Sequence, residues 1–189
     1  MPSFSFAHGA RHDGGMTPDP FMLVTARNAN RHDTCELARL YGDLAEEQRA
    51  IRSIWPYADG LPEPIEDAVR GLLERSDAIV AVGEIDGVPL GFLVAVEEAL
   101  LPPVSDRRIG VVRLIFTVPD ARGVGIGAAM LDLAMAHLSD RGIDLYDARV
   151  SPGHRMAKNF FESNGFKARS ITMHRGESAV EPPSKDQGA

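Results

Sequence analysis

A chain of 189 residues and 20.5 kDa, 44% hydrophobic and 25% charged with a mean hydropathy of −0.13, is sized for one globular domain. It has no apolar run near the roughly 20 residues that cross a bilayer, and residues 1–20 lack a basic region followed by an apolar stretch. Neither a membrane nor secretion is expected, and the chain reads as cytoplasmic. Lys+Arg 20 against Asp+Glu 27 give a net charge of −7, which opposes a phosphate backbone and argues against nucleic acid as a partner. Cys35 is the single cysteine, which excludes an internal disulfide and a cysteine metal cluster, and His8 and His12 in a glycine-rich tail do not make a metal site.

Residues 1–20 and 176–189 have no periodicity and are expected as poorly ordered tails around a domain at 21–175. Within it, 22–26 reads as a short strand. Asp33 followed by Glu36 has the form of a capping box ahead of Leu37, Leu40, Tyr41 and Leu44, which mark a helix. After a loop with Trp55, Tyr57 and Gly60, Pro62 and Pro64 lead into a second amphipathic helix carrying Ile65, Ala68, Val69, Leu72 and Leu73. Residues 78–85 and 88–96 are apolar and strand-like, and Asp86-Gly87 between them suits a tight hairpin turn. A strand over 109–118 is followed by a glycine-rich turn and a helix over about 125–139, stopped near Gly142. A strand over 143–150 precedes a helix expected to start with Ser151 as cap and Pro152 in its first turn; it carries Met156, Ala157, Phe160 and Phe161 and ends at Asn164-Gly165. A last strand is expected over 166–175. This order predicts a mixed α/β fold, a central sheet with helices on both faces in which 109–118 and 143–150 pair in parallel through a right-handed crossover.

The chemistry concentrates at Arg122-Gly123-Val124-Gly125-Ile126-Gly127, between a strand and a helix. The first amides of a helix have no partner within it, glycines let an anion approach the backbone, and Arg122 adds a permanent cation. A phosphate-bearing ligand is therefore expected. Gly123-x-Gly125-x-x-Ala128, with Asp144 roughly twenty residues on, also fits a dinucleotide-binding pattern, so a nucleotide-dependent oxidoreductase is an alternative. Against it, residues 119–122 separate the strand from the glycines, and the unit follows an antiparallel hairpin. A Walker loop is excluded because no Gly-Lys-Ser/Thr follows.

Arg122-x-x-Gly125-x-Gly127 resembles the pyrophosphate motif R/Q-x-x-G-x-G/A of the GNAT superfamily of acetyl-CoA-dependent N-acetyltransferases, and Phe160-Phe161-Glu162 with Gly165-Phe166 is similar to that family's downstream F-Y-E and G-F. The resemblance spans residues 22–175. It implies a mostly antiparallel mixed sheet whose one parallel pair splays apart, with acetyl-CoA as cofactor in the gap. Carried over by position, it implies that Phe116, Thr117 and Val118 hold pantetheine. Arg122, Gly123, Val124, Gly125, Ile126, Gly127 and Ala128 would hold the pyrophosphate, and His154, Lys158 and Phe161 would line the cleft. Arg149 and Arg155 are expected near its mouth. The acceptor implied is a primary amine of a small molecule or protein, attacking the thioester directly, and a homodimer is left open.

Two positions depart from the family pattern. Phe161 stands where the family tyrosine often protonates the leaving sulfur, and Val111 where some members carry a glutamate base. A thiol of ordinary acidity can leave as thiolate without that tyrosine. His154 matches a family asparagine and is the candidate base, with Glu97 or Glu98 as alternatives. A backbone N–H at Ile115 or Phe116 is expected to stabilise the oxyanion. Trp55 and Tyr57, with Asp59 and Glu97, are the expected acceptor-side residues. A non-catalytic acyl-CoA-binding module is the second reading of the same departures.

Overall fold

The computed structural model describes residues 22–51, 60–100 and 107–173. Strands β1 (Val24–Asn28), β2 (Ala78–Ile85), β3 (Val88–Ala99), β4 (Arg108–Thr117) and β5 (Tyr146–Ala148) lie side by side in chain order. The pairs from β1 to β4 are antiparallel, and β4 with β5 is parallel. The β2–β3 hairpin closes through Asp86 at φ 51° and Gly87 at φ 78°, the left-handed pair that a two-residue turn requires.

Alternation along the strands divides the core between two faces. Val80, Val82, Phe92 and Val94 point to one side, where α1 (Thr34–Ile51) and α2 (Ile65–Glu74) bury Leu37, Leu40, Leu44 and Val69. Ile79, Ala81, Leu93 and Ala95 point to the other, where α3 (Ile126–Asp140) buries Met130, Ala134 and Leu138, and α4 (Arg155–Ser163) contributes Phe161. α3 lies close on the sheet because Gly83 has no side chain; a Cβ there would stand 2.4 Å from Ile126 Cγ2. No helix among the described residues is long and apolar enough to cross a membrane.

Four expectations are corrected by the structure. The capping box forms three residues early: His32 N–H donates to Asn30 Oδ1, Asn30 N–H donates to Asp33 Oδ2, and the turn Arg31–Asp33 leads into α1. Of the strand expected over 143–150, Tyr146–Ala148 pairs, because Ile143 turns into the core with its N–H on Leu138 O. The fourth helix starts after His154, not at Ser151, since Gly153 at φ 91° interrupts the helical path. Residues 166–173 form no strand: Phe166 packs edge-on against Phe161 at 5.3 Å, and Arg169 pairs with Asp147 of β5 through side chains. Residues 1–21, 52–59, 101–106 and 174–189, with both expected tails, lie outside the described residues.

The entry to α1 is held by a charged knot. Arg27 of β1 donates two bonds to Asp33, at 2.8 and 2.7 Å, and a third to Glu84 of β2 at 2.8 Å. Asp33 is buried, and the guanidinium beside it holds its carboxyl below the ordinary carboxylate range. A depressed folded value contributes stability that is present above the unfolded carboxylate pKa of about 3.9 and is lost as pH falls through the folded one. Asp33→Asn should therefore lower stability at neutral pH by about 1–2 kcal/mol. The gap to the native protein should close below about pH 4 in a series of thermal melts.

Candidate functional site

The site begins with one extra residue in β4. Below it, Ala95 pairs with Val112 and Val96 with Val111; above it, Val94 pairs with Leu114 and Phe92 with Phe116, so Arg113 is bulged out of the ladder. Val118 N–H bonds Leu90 O of β3 at 2.9 Å. By the two-residue alternation of an antiparallel ladder, Phe116 and Leu114 then also turn their backbone toward β3, and Ile115 and Thr117 turn theirs away. On that far side β5 has already left. Gly110 N–H still bonds Leu145 O and Arg149 N–H bonds Val112 O, and beyond this rung the parallel strands part. The result is a gap faced by the N–H groups of Ile115 and Thr117.

At the top of the gap the chain turns through Pro119–Ala121 into the glycine segment. Gly123 and Gly125 sit at φ 83° and 105°, where a side chain would be strained, and a Cβ on either would meet nothing within 4 Å. Gly125 caps α3 without any side-chain bond, and the first bond into the helix runs from Ala129 N–H to Gly125 O. The amides of Ile126, Gly127 and Ala128 therefore form an uncapped helix start. Gly127 has a different reason to be glycine: its Cβ would stand 3.1 Å from the Phe160 ring, so it allows α4 to cross α3.

Arg122 does not extend into solvent. Its Nε donates to Thr117 O at 2.8 Å, its guanidinium lies 5.6 Å over the Phe116 ring, and one terminal nitrogen reaches Glu47 Oε2 of α1 at 2.5 Å. The other Glu47 oxygen lies 3.2 Å from His154 Nε2, and His154 Nδ1 accepts the Ala157 N–H at 3.0 Å. An accepting Nδ1 places the imidazole proton on Nε2, which donates to Glu47. One carboxylate thus ties α1 to both the glycine turn and the start of α4.

A family model described as Acetyltransferase (GNAT) family matches residues 37–166. The chain belongs to the GNAT acetyltransferase family. An uncharacterized N-acetyltransferase of Archaeoglobus fulgidus is 26% identical over 141 residues, covering 75% of this chain and 91% of that protein. Among solved structures, a ribosomal-protein-alanine N-acetyltransferase from Brucella melitensis superposes with a TM-score of 0.63 at 19% identity, over 82% of this chain and 99% of that one. The aminoglycoside N-acetyltransferase AAC(6')-Iy in complex with CoA superposes with a TM-score of 0.62 at 16% identity, over 86% and 99%. These structures share the fold, and the family makes this chain an acetyltransferase.

Within the acetyltransferase, the expected site residues divide. Ile115, Thr117, Arg122 and the segment 123–128 meet at the parted strands. Phe116 and Val118 do not offer their backbone to the gap, because the bulge turns it toward β3. Phe161 is 3% exposed and packs between Phe160 and Phe166, so it is a core residue. Lys158 lies on the exposed face of α4, paired with Glu162 at 2.6 Å. Glu97 is bonded by Arg108 and Arg141 at 3.0 and 2.7 Å. Trp55, Tyr57 and Asp59 lie outside the described residues. Sequence reasoning missed Glu47; nothing in the pair Glu46-Glu47 distinguishes it from a solvated helix face until α1 is laid beside Arg122. With both ring nitrogens engaged, His154 is a helix cap and a strut, not a free base. His154→Ala should cost about 1 kcal/mol of stability in a thermal melt. His154→Asn, an equally good cap, should restore most of it and keep kcat/KM within about threefold, whereas losing a general base would cost about 10²-fold or more.

Proposed function

We propose that the protein is an acetyl-CoA-dependent N-acetyltransferase whose acyl donor lies between β4 and β5 and whose amine acceptor attacks the thioester directly. The observation that carries the reading is the bulge at Arg113, which leaves two inward N–H groups where β5 departs, in line with the uncapped start of α3. These residues fit such a donor. Gly123 and Gly125 face open space, and three helix amides lack partners in the helix. A phosphorylated chain supplies acceptors for those amides.

Bound acetyl-CoA would supply the acetyl group as an activated thioester. The Ile115 N–H is aimed at the gap, where it can hold the carbonyl oxygen as charge develops on it, the task for which a fixed backbone dipole needs no reorganisation. Arg122 acts chiefly by position: bonded to Thr117 O and stacked on Phe116, it fixes the end of β4 and keeps the cation close to the pyrophosphate amides. Among the described residues, no imidazole or carboxylate at the gap lacks an engaged partner, so the amine enters neutral and releases its proton to water.

An assay of free thiol released from acetyl-CoA across a panel of amines, paired with thermal melts, tests this reading. Acetyl-CoA at a hundred times its dissociation constant should stabilise the protein by about 2.7 kcal/mol, and NADH should not. Gly125→Ala should raise the KM for acetyl-CoA at least tenfold with little change in kcat. Ile115→Pro removes an N–H that the ladder to β3 does not use; it should lower kcat by about 10²-fold while the acetyl-CoA melting shift persists. With each amine, kcat/KM should rise with pH toward that amine's own pKa. No melting shift with acetyl-CoA and no thiol release with any amine would overturn the proposal.

A further inference from the structure

On the α1–α2 face of the sheet, beside the point where β4 and β5 part, lies a cleft of about 230 Å³ bounded by Leu61 and Leu72, Val94 and Val96, and the β4 residues Arg113 and Leu114. It is smaller than the roughly 300–1,000 Å³ usual for pockets that take drug-sized ligands. Tyr41 Oη accepts the Leu61 N–H at 2.6 Å and so fixes the wall that leads into α2. The charged groups at this cleft are arranged asymmetrically. Arg113, pushed out of the ladder by the bulge, donates to Glu98 Oε1 at 3.1 Å. Arg149, the residue after β5, approaches the same carboxylate at 3.3 and 3.5 Å. Arg75 lines the cleft as well, held by Asp77. Guanidiniums from both banks of the parting strands therefore reach the Glu98 carboxylate.

Glu98 is about one-third exposed, and its contacts to Arg149 are long for charged hydrogen bonds. The other acid of the cleft, Glu97, is 12% exposed and fixed between Arg108 and Arg141. An acceptor entering here meets guanidinium forks suited to a planar carboxylate, and a polycation would meet like charge. Resting on the acetyltransferase reading, we propose that the acceptor is a small amine that also carries a carboxylate, of amino-acid size. Its carboxylate replaces Glu98 between Arg113 and Arg149, which directs its amine toward the Ile115 N–H two residues along β4. In the transfer, the amine nitrogen forms a bond to the acetyl carbon, the carbon–sulfur bond breaks, the thiolate of CoA leaves, and the amine proton passes to water.

The test uses the full chain and matched acceptors: free amino acids, the same compounds as carboxamides, and polyamines and an aminoglycoside as cationic controls. Carboxylate-bearing amines should show kcat/KM at least tenfold above their carboxamides. Arg149→Gln should raise the KM for the acid at least tenfold, and by a larger factor than it raises the KM for acetyl-CoA. Glu98→Gln, by removing a competing carboxylate, should lower the KM for the acid several-fold, an improvement that a merely structural role would not produce. With CoA present, N-acetyl amino acids should raise the melting temperature of the native protein and lose that effect in Arg149→Gln. The inference is overturned if carboxamides or polycations are acetylated as well as or better than the acids, or if no carboxylate-bearing amine is acetylated and no N-acetyl amino acid binds. Thiol release with another amine, or a melting shift with acetyl-CoA, would in that case leave the acetyltransferase reading standing.

Discussion

One inserted residue in β4 sets the geometry on which the site depends. Along an antiparallel ladder, every second residue gives its N–H and C=O to the neighbour, and a single insertion exchanges the two sets. Below Arg113, the residues that face β5 are Gly110 and Val112, and they hold it in parallel register. Above Arg113, the residues that face the same side are Ile115 and Thr117, and among the described residues no strand pairs with them there. The bulge also places the Arg113 side chain beside Leu114 on the α1–α2 face, at the edge of the cleft there. Inward N–H groups on one side and a guanidinium on the other follow from one change of phase.

The second constraint is the carboxylate of Glu47. β4, the glycine turn, α1 and α4 arrive from distant parts of the chain, and hydrophobic packing alone would allow them to slide. Glu47 accepts from Arg122 and from His154, and Arg122 in turn bonds Thr117 O at the end of β4. These groups are half-buried, so removing one partner leaves the others short of a bond in a region of reduced solvent screening. This gives Arg122 and His154 a shared mechanical purpose. It also explains how histidine can stand at the start of α4: its Nδ1 performs the capping that an asparagine oxygen would perform.

Much of this architecture was legible in the chain. The hairpin at Asp86-Gly87, the helix carrying Leu37, Leu40, Tyr41 and Leu44, and the glycine turn before α3 each follow from a local rule of turn geometry or periodicity, and each is present. The misreadings come from packing that composition does not show. Residues 143–145 do not pair because Ile143 turns into the core, and 166–173 are held by Phe166 on Phe161 and by Arg169 on Asp147, not by a strand edge. Ser151-Pro152 has the composition of a helix start, but Gly153 takes a left-handed conformation that composition does not disclose. Gly127 has a further reason to be glycine that spacing does not disclose: a Cβ there would meet the Phe160 ring of another helix.

Short-range spacing along this chain is enough to specify most of its elements and the glycine turn before α3, because propensity, capping and helix amides act within a few residues. Which backbone groups face the gap depends on a register shift between β3 and β4, and a register belongs to two strands at once. The burial of Phe161, the capture of His154 by Glu47 and the meeting of Arg113 with Arg149 at Glu98 likewise join residues far apart in sequence. Packing had to bring them together before their chemistry could be assigned.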